Sequence, residues 1–154
     1  MKGFLFDCGT REPATSWGLL WLRVVTGGMM ALGHGWPKIV NFASWKDGWY
    51  VPPFLPFLTP PLSLIATIGC EFGCGLLLVL GLLTRPASFL FGFAMTVAAF
   101  GVLGNAPWFL AQGVTAAKEP ALLYLLGAVV VIISGPGAWS LDAGIYQERR
   151  RRRW

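Results

Sequence analysis

Charge is what this sequence has least of. Only 12% of its 154 residues are Asp, Glu, Lys or Arg, against about 25% in an ordinary soluble domain, while 55% are hydrophobic. With a mean hydropathy of +0.62, that balance excludes a domain that dissolves behind a charged shell. Cysteine is scarce as well. Cys8, Cys70 and Cys74 make an odd set with two members inside an apolar segment, so no secreted disulfide framework is expected. Cys70 and Cys74 stand four apart, which suits neither a Cys-x-x-Cys redox pair nor a disulfide within a regular helix, and they read as small packing residues. Only one histidine is present, His34, and no second histidine or carboxylate lies at ligand spacing around it, so no metal site is expected. A Gly-rich phosphate loop, a Ser-His-Asp order and a haem-binding Cys-x-x-Cys-His are all missing. The net charge of +5 does not point to nucleic acid, because five of the twelve basic residues form the terminal run 149–153 and no interleaved basic patch occurs elsewhere.

What the chain has in quantity is apolar length. Four runs stand out, 17–36, 62–83, 86–103 and 120–134. A helix needs roughly 20 apolar residues to cross a ~30 Å hydrocarbon core at about 1.5 Å per residue. The first two runs reach that length and the third nearly does. The fourth gains length from Ala116 and Ala117, with Lys118 snorkelling to the interface and Glu119 favoured at the positive end of the helix dipole. Pro120 suits its first turn, and Gly135-Pro136-Gly137 stops it. The polar start of the chain, with Asp7 and Glu12, and the lack of a small-residue cleavage pattern make the first run a retained helix rather than a signal peptide.

Lysines and arginines near the span ends set orientation. With the N-terminus inside, the inner side holds eight of them (Lys2, Arg11, Arg85 and the five of 149–153) and the outer side three (Lys38, Lys46, Lys118). The expected topology is therefore both termini in the cytoplasm. Thr84-Arg85 alone joins the second and third spans, with Thr84 as cap and Pro86 in the first turn, which demands an antiparallel hairpin. Tryptophans at 17 and 139 on one side, and at 36, 45, 49 and 108 on the other, form two interfacial belts. The expected fold is all-α, an antiparallel bundle of four transmembrane helices over 17–142, with a cytoplasmic segment 1–16 and a basic cytoplasmic tail 143–154 that meets anionic headgroups.

Three ionisable residues fall within or near the apolar core: Arg23, His34 and Glu71. At 100° per residue His34 returns to within about 20° of the Arg23 face, and Lys38 follows one turn later. Gly27, Ala31 and Gly35 step along this side and allow a neighbouring helix to come close. Glu71 shares a face with Thr67, Cys74 and Gly75. Counted from the inner boundary, Arg23 lies about 9 Å deep and Glu71 about 18 Å deep, a gap an extended Arg side chain largely closes. An isolated charge at mid-bilayer costs at least ~2.5–3.5 kcal/mol, so an Arg23–Glu71 ion pair facing the bundle interior is expected. Such a pair is either a structural staple or the mark of a proton, ion or substrate path.

These residues also carry a resemblance. Leu22-Arg23, His34-Gly35 with Lys38, Glu71-x-x-x-Gly75 and Leu80-Gly81-Leu82-Leu83-Thr84-Arg85 come in the order found in the DoxX family of small bacterial membrane proteins. They are followed by Lys118-Glu119, Gly135-Pro136-Gly137 and Ser140-Leu141-Asp142, so that the chain resembles that family from about residue 17 to 142. The resemblance implies a four-helix fold in the bacterial inner membrane and an association with redox metabolism, relatives looking like subunits of a thiosulfate:quinone oxidoreductase or of membrane complexes that handle thiol or oxidative stress. It also suggests that Arg85 and Asp142 tie the central hairpin to the C-terminal segment, with two solvated charges as the plain alternative. The expected site is Arg23, His34 and Glu71 around a narrow pocket in the outer half. Any chemistry there is expected to be quinone-linked electron transfer, with Glu71 or His34 passing a proton to a quinone oxygen and a partner supplying the cofactor chemistry. Membrane lipid, and a membrane protein or a second copy of the chain, are the expected partners. The competing class is a non-catalytic accessory subunit of a larger membrane complex. A small transporter is disfavoured, because four helices with so few polar positions leave little room for a water-filled path.

Overall fold

The computed structural model describes residues 9, 10 and 12–151, with side chains up to residue 146. Lys2, Asp7, Cys8, Arg11 and the side chains of the basic run 149–153 lie outside the described residues, and with them most of the charge asymmetry behind the expected topology. The described residues are helical, without a strand. In chain order they form α1 (Pro13–Met30), π1 (Ala31–Gly35), α2 (Trp36–Val40), α3 (Phe42–Trp45), α4 (Pro60–Ile68), π2 (Gly69–Gly73), α5 (Cys74–Leu80), α6 (Thr84–Val97), π3 (Ala98–Val102), α7 (Glu119–Ser134) and α8 (Leu141–Arg151). The segments α1–π1–α2, α4–π2–α5 and α6–π3 each run on without a break, so with α7 the described residues form four long rods, called here the first to fourth helices.

Each rod packs on two others. The first lies on the second, the second on the third, the third on the fourth and the fourth on the first, which closes a ring. The second and third, Pro60–Leu80 and Thr84–Val102, are long and apolar enough to cross a membrane. The ring buries alanines 31, 87, 99, 121 and 128 together with Met30, Leu64, Leu78, Phe91, Met95 and Val131, while Trp21, Met29, Leu32, Ile65, Phe89, Leu123 and Ile133 face out. So many large apolar side chains on the outside match an apolar solvent. The close approach of the first two helices is set by glycine. A Cβ on Gly27 would lie 2.5 Å from the Gly75 carbonyl oxygen, and one on Gly75 would lie 2.8 Å from that of Gly27, so the expected small-residue face does bring two backbones together.

Local signals account for most helix ends. Glu12 caps α1, its carboxylate accepting from the amides of Ala14 at 3.1 Å and Thr15 at 2.5 Å, with Pro13 next in line. Hydrogen bonding to the carboxylate holds the Glu12 pKa below its ordinary value. α5 ends at Gly81, φ +67°, in a Schellman pattern: the amides of Gly81 and Leu82 return to the carbonyls of Leu78 and Leu77. Thr84 departs from its expected role as cap. It is the first residue of α6 and follows Leu83, which sits in the left-handed region at φ +47°. The cap comes instead from a distant residue. Asp142 accepts from the amides of Leu83 at 2.9 Å and Thr84 at 2.8 Å and from the Thr84 hydroxyl at 2.7 Å. The link between α5 and α6 is residues 81–83 rather than the expected Thr84-Arg85, and it leaves no room for a local N-cap beside a Schellman turn, so the C-terminal segment supplies one.

Candidate functional site

The two ends of the ring differ. At the end that holds Arg23, Gly81 and Asp142, the rods are clasped. Arg23 is fully buried and donates from Nη1 to the Leu78 carbonyl at 2.9 Å and from Nη2 to the Trp139 carbonyl at 2.6 Å. The Ala138 amide donates to the Ser16 hydroxyl at 3.2 Å, and the Asp142 amide to the Gly81 carbonyl at 2.9 Å. At the opposite end, where the loops 41–59 and 103–118 lie, the rods part around a cavity of about 460 Å³.

The cavity is built where regular helices give way to π turns. π1 carries His34 and π2 carries Glu71, and the two turns pack on one another. A π turn widens the helix by one residue and turns the following side chains off the previous face, which is why such segments recur at functional sites. Lys38, one turn past π1, reaches across to place Nζ 2.5 Å from Glu71 Oε2, with the two side chains only 13% and 9% exposed. This is an ion pair by distance, its angles lying outside hydrogen-bond geometry. The same ammonium donates to the His34 carbonyl at 3.1 Å and sits 5.7 Å from the centre of the Trp49 ring. The His34 ring meets the edge of Tyr124 at 6.0 Å. Trp49 donates from Nε1 to the Thr67 hydroxyl at 3.3 Å, and the Ser63 hydroxyl donates to the Tyr50 carbonyl at 2.7 Å, so the loop 41–59 is fastened over the second helix. Met30, Leu55, Leu58, Ala94, Val97 and Ala98 supply apolar wall between these few polar groups.

The model of the DoxX family matches residues 18–104, more than half of the chain. An uncharacterized protein of Haemophilus influenzae is 32% identical over 134 residues, a match that covers 84% of this chain and 92% of that relative. The chain belongs to the DoxX family. It is accordingly a DoxX-like membrane protein, and its apolar outer surface is the lipid-facing side that this membership entails. No solved structure matches it.

The DoxX match spans Arg23, His34, Lys38, Glu71 and Arg85 and leaves out Lys118, Glu119 and Asp142. Of the residues expected to share a pocket, His34 and Glu71 line the cavity and Arg23 does not. The expected Arg23–Glu71 pair is therefore corrected: Lys38 is the partner of Glu71. Depth is the reason. Leu78, which Arg23 reaches, is seven residues or about 10.5 Å along the helix from Glu71, and the last carbonyls of α5 together with Trp139 satisfy the guanidinium at its own level. Lys38 was legible as a position four residues beyond His34, but its partner was not, because only the π turns show which way it points. Asp142 fastens the central hairpin to the C-terminal segment through Leu83 and Thr84. Lys118 is buried rather than snorkelling: Nζ donates to the Gly104 carbonyl at 2.9 Å and lies 4.9 Å from the centre of the Trp108 ring. Glu119 accepts from the Leu110 amide at 2.9 Å. Together they pin the loop 103–118 to the start of α7. Cys74 is in the core and Cys70 borders the cavity, both as free thiols.

Proposed function

We propose that this DoxX protein crosses the bacterial cytoplasmic membrane four times with both termini in the cytoplasm, and serves as a redox-associated subunit that holds a lipid-soluble quinone in its outer half. The observation that carries the reading is the Lys38–Glu71 ion pair, set with His34 in a cavity of about 460 Å³ that is otherwise apolar. Binding sites for small cofactors have this make-up, an apolar hollow of roughly 300–1,000 Å³ with a few placed polar groups. The residues present fit such a group. Apolar side chains from three helices suit a flat ring, and the Lys38 ammonium and His34 imidazole are donors for its oxygens.

A bound quinone supplies two-electron, two-proton chemistry that the side chains here do not. The chain's own part is to bind, orient and handle protons. Lys38 Nζ would donate to an oxygen of such a ring, while the Glu71 carboxylate balances the ammonium and would take up or give back a proton at Oε2. Apolar walls keep water from this exchange. The electrons then come from a separate membrane protein, which makes the chain one member of a complex.

Extraction of the purified protein followed by mass spectrometry of its lipids tests the proposal. A quinone that copurifies, with quinone reduction in membranes lowered at least tenfold by Glu71→Gln, is the expected result. A preparation without quinone, together with unchanged reduction in Glu71→Gln membranes, rejects it. A non-catalytic accessory role is the second reading, favoured by the exposed Phe57, Trp108, Phe109 and Leu110 of the two loops, which offer a partner an apolar face. A chain that migrates alone at its own mass after gentle solubilisation counts against that role.

A further inference from the structure

Three of the polar side chains that line the cavity spend their hydrogens inside the protein. Trp49 donates from Nε1 to the Thr67 hydroxyl, the Thr67 hydroxyl to the Ser63 carbonyl at 2.8 Å, and the Ser63 hydroxyl to the Tyr50 carbonyl at 2.7 Å. The His34 imidazole and the hydroxyls of Tyr50, Thr115 and Tyr124 line it too. Each of these can donate or accept, so they suit a ligand in either oxidation state, and the Cys70 thiol is weak in both roles. Any choice between oxidation states is left to Lys38 and Glu71.

The Lys38 ammonium has three hydrogens. One goes to the His34 carbonyl at 3.1 Å, and the group lies 2.5 Å from Glu71 Oε2 and 5.7 Å from the centre of the Trp49 ring, so a donor is left for a ligand. The two oxygens of the carboxylate differ. Oε2 is shut off from solvent, whereas Oε1 is not among the sealed atoms and accepts no hydrogen bond from the described residues. The pair thus offers the cavity one donor and one accepting oxygen side by side. A ring carbonyl uses the donor alone and leaves its own oxygen against Oε1 with no hydrogen between them, the costly outcome for polar atoms held away from water. A ring hydroxyl uses both, accepting from Lys38 and donating to Oε1, and a hydrogen bond to an ionised acceptor is the strong kind.

We infer that this cavity selects the reduced ligand: a hydroquinone, with a hydroxyl on its aromatic ring, binds at Lys38 and Glu71 at least tenfold more tightly than the corresponding quinone. The inference rests on the quinone reading and adds to it the oxidation state the site is built for and the atom, Glu71 Oε1, that makes the choice. Tighter binding of the reduced member raises the midpoint potential of the bound couple, and a tenfold preference equals about 30 mV for two electrons. The bound ring is thus easier to reduce than the same ring free in lipid.

Three probes with one ring and one short alkyl tail test this on the full chain in phospholipid nanodiscs: a benzoquinone, its hydroquinone, and the dimethyl ether of that hydroquinone, which cannot donate. Each is titrated under argon by calorimetry, with empty nanodiscs subtracted. The hydroquinone is expected to bind at least tenfold more tightly than either the quinone or the ether. In Glu71→Gln, whose carboxamide can donate to a carbonyl as well as accept from a hydroxyl, the gap between hydroquinone and quinone is expected to shrink below threefold. The double variant Lys38→Ala with Glu71→Gln, which strands no charge, is expected to lose the preference likewise and serves where Glu71→Gln alone does not fold. Quinone binding as tight as hydroquinone binding, an ether as tight as the hydroquinone, or a preference undiminished in these variants overturns the selection and leaves the quinone reading standing. Absence of saturable binding by both quinone and hydroquinone overturns the two together.

Discussion

Lys38 and Glu71 form an ion pair, and the cavity leaves them little contact with water. Removing one partner of a buried pair strands the other charge, at a cost of about 3–5 kcal/mol, whereas removing both charges is often near neutral. Lys38→Ala is therefore expected to lower the thermal midpoint in detergent sharply, and the double variant Lys38→Ala with Glu71→Gln to recover most of the loss. Equal losses in the two variants would show that the pair is not coupled. Glu12 is the other carboxylate whose charge does structural work. Its pKa is depressed by the amides and hydroxyl it caps, so its contribution is complete above the ordinary glutamate value of 4.5 and disappears as the pH falls through the lower, folded value. Hydrogen exchange at the amides of Ala14 and Thr15 should accelerate relative to the helix interior on acidification through that window. Glu12→Gln should remove the acid-dependent step.

Among the elements, the turn between the second and third helices shows how distant parts of the chain finish what local sequence begins. Gly81 and Leu82 close α5 by themselves, but the first amides of α6 depend on Asp142, 58 residues on from Thr84. Loss of a capping side chain costs about 0.5–2 kcal/mol, and a carboxylate that serves three donors belongs at the upper end. Asp142→Ala is expected to destabilise the fold by about 2 kcal/mol and to speed exchange at Thr84, while Asp142→Asn retains part of the cap. A thermal midpoint unchanged in Asp142→Ala would refute that role. The three π turns belong to this scale too. Each interrupts a rod near the loop end, and no propensity of Ala31–Gly35, Gly69–Gly73 or Ala98–Val102 announces a wider turn, since it is the packing of one rod on another that selects it.

For the molecule as a whole, the asymmetry between a clasped end and a splayed end gives the cavity its place, and the proposed topology gives it a side of the membrane. The expected arrangement puts the clasp of Arg23, Trp139 and Asp142 toward the cytoplasm. A fluorescent protein fused after Trp154 should then glow and an alkaline phosphatase fused there should be silent, while phosphatase inserted in the loop 103–118 should be active. The reverse pattern would move the cavity to the inner leaflet and end the proposed orientation, without touching the fold.

What the amino-acid order determined alone was the class and part of the punctuation: long apolar helices, Pro120 at the start of the fourth and Gly135 at its end, and a glycine face on which the first helix meets the second. Those follow from hydrophobic runs and from backbone geometry, which act over a few residues. Which charge meets which was decided only in three dimensions. Arg23 and Glu71 are opposite in charge and share inward faces, yet carbonyls at the guanidinium's own depth and a lysine carried round by a π turn claimed them separately. A side chain pairs with what lies within a few ångströms of its tip, and helical periodicity drifts by more than that once a single residue is added to a turn.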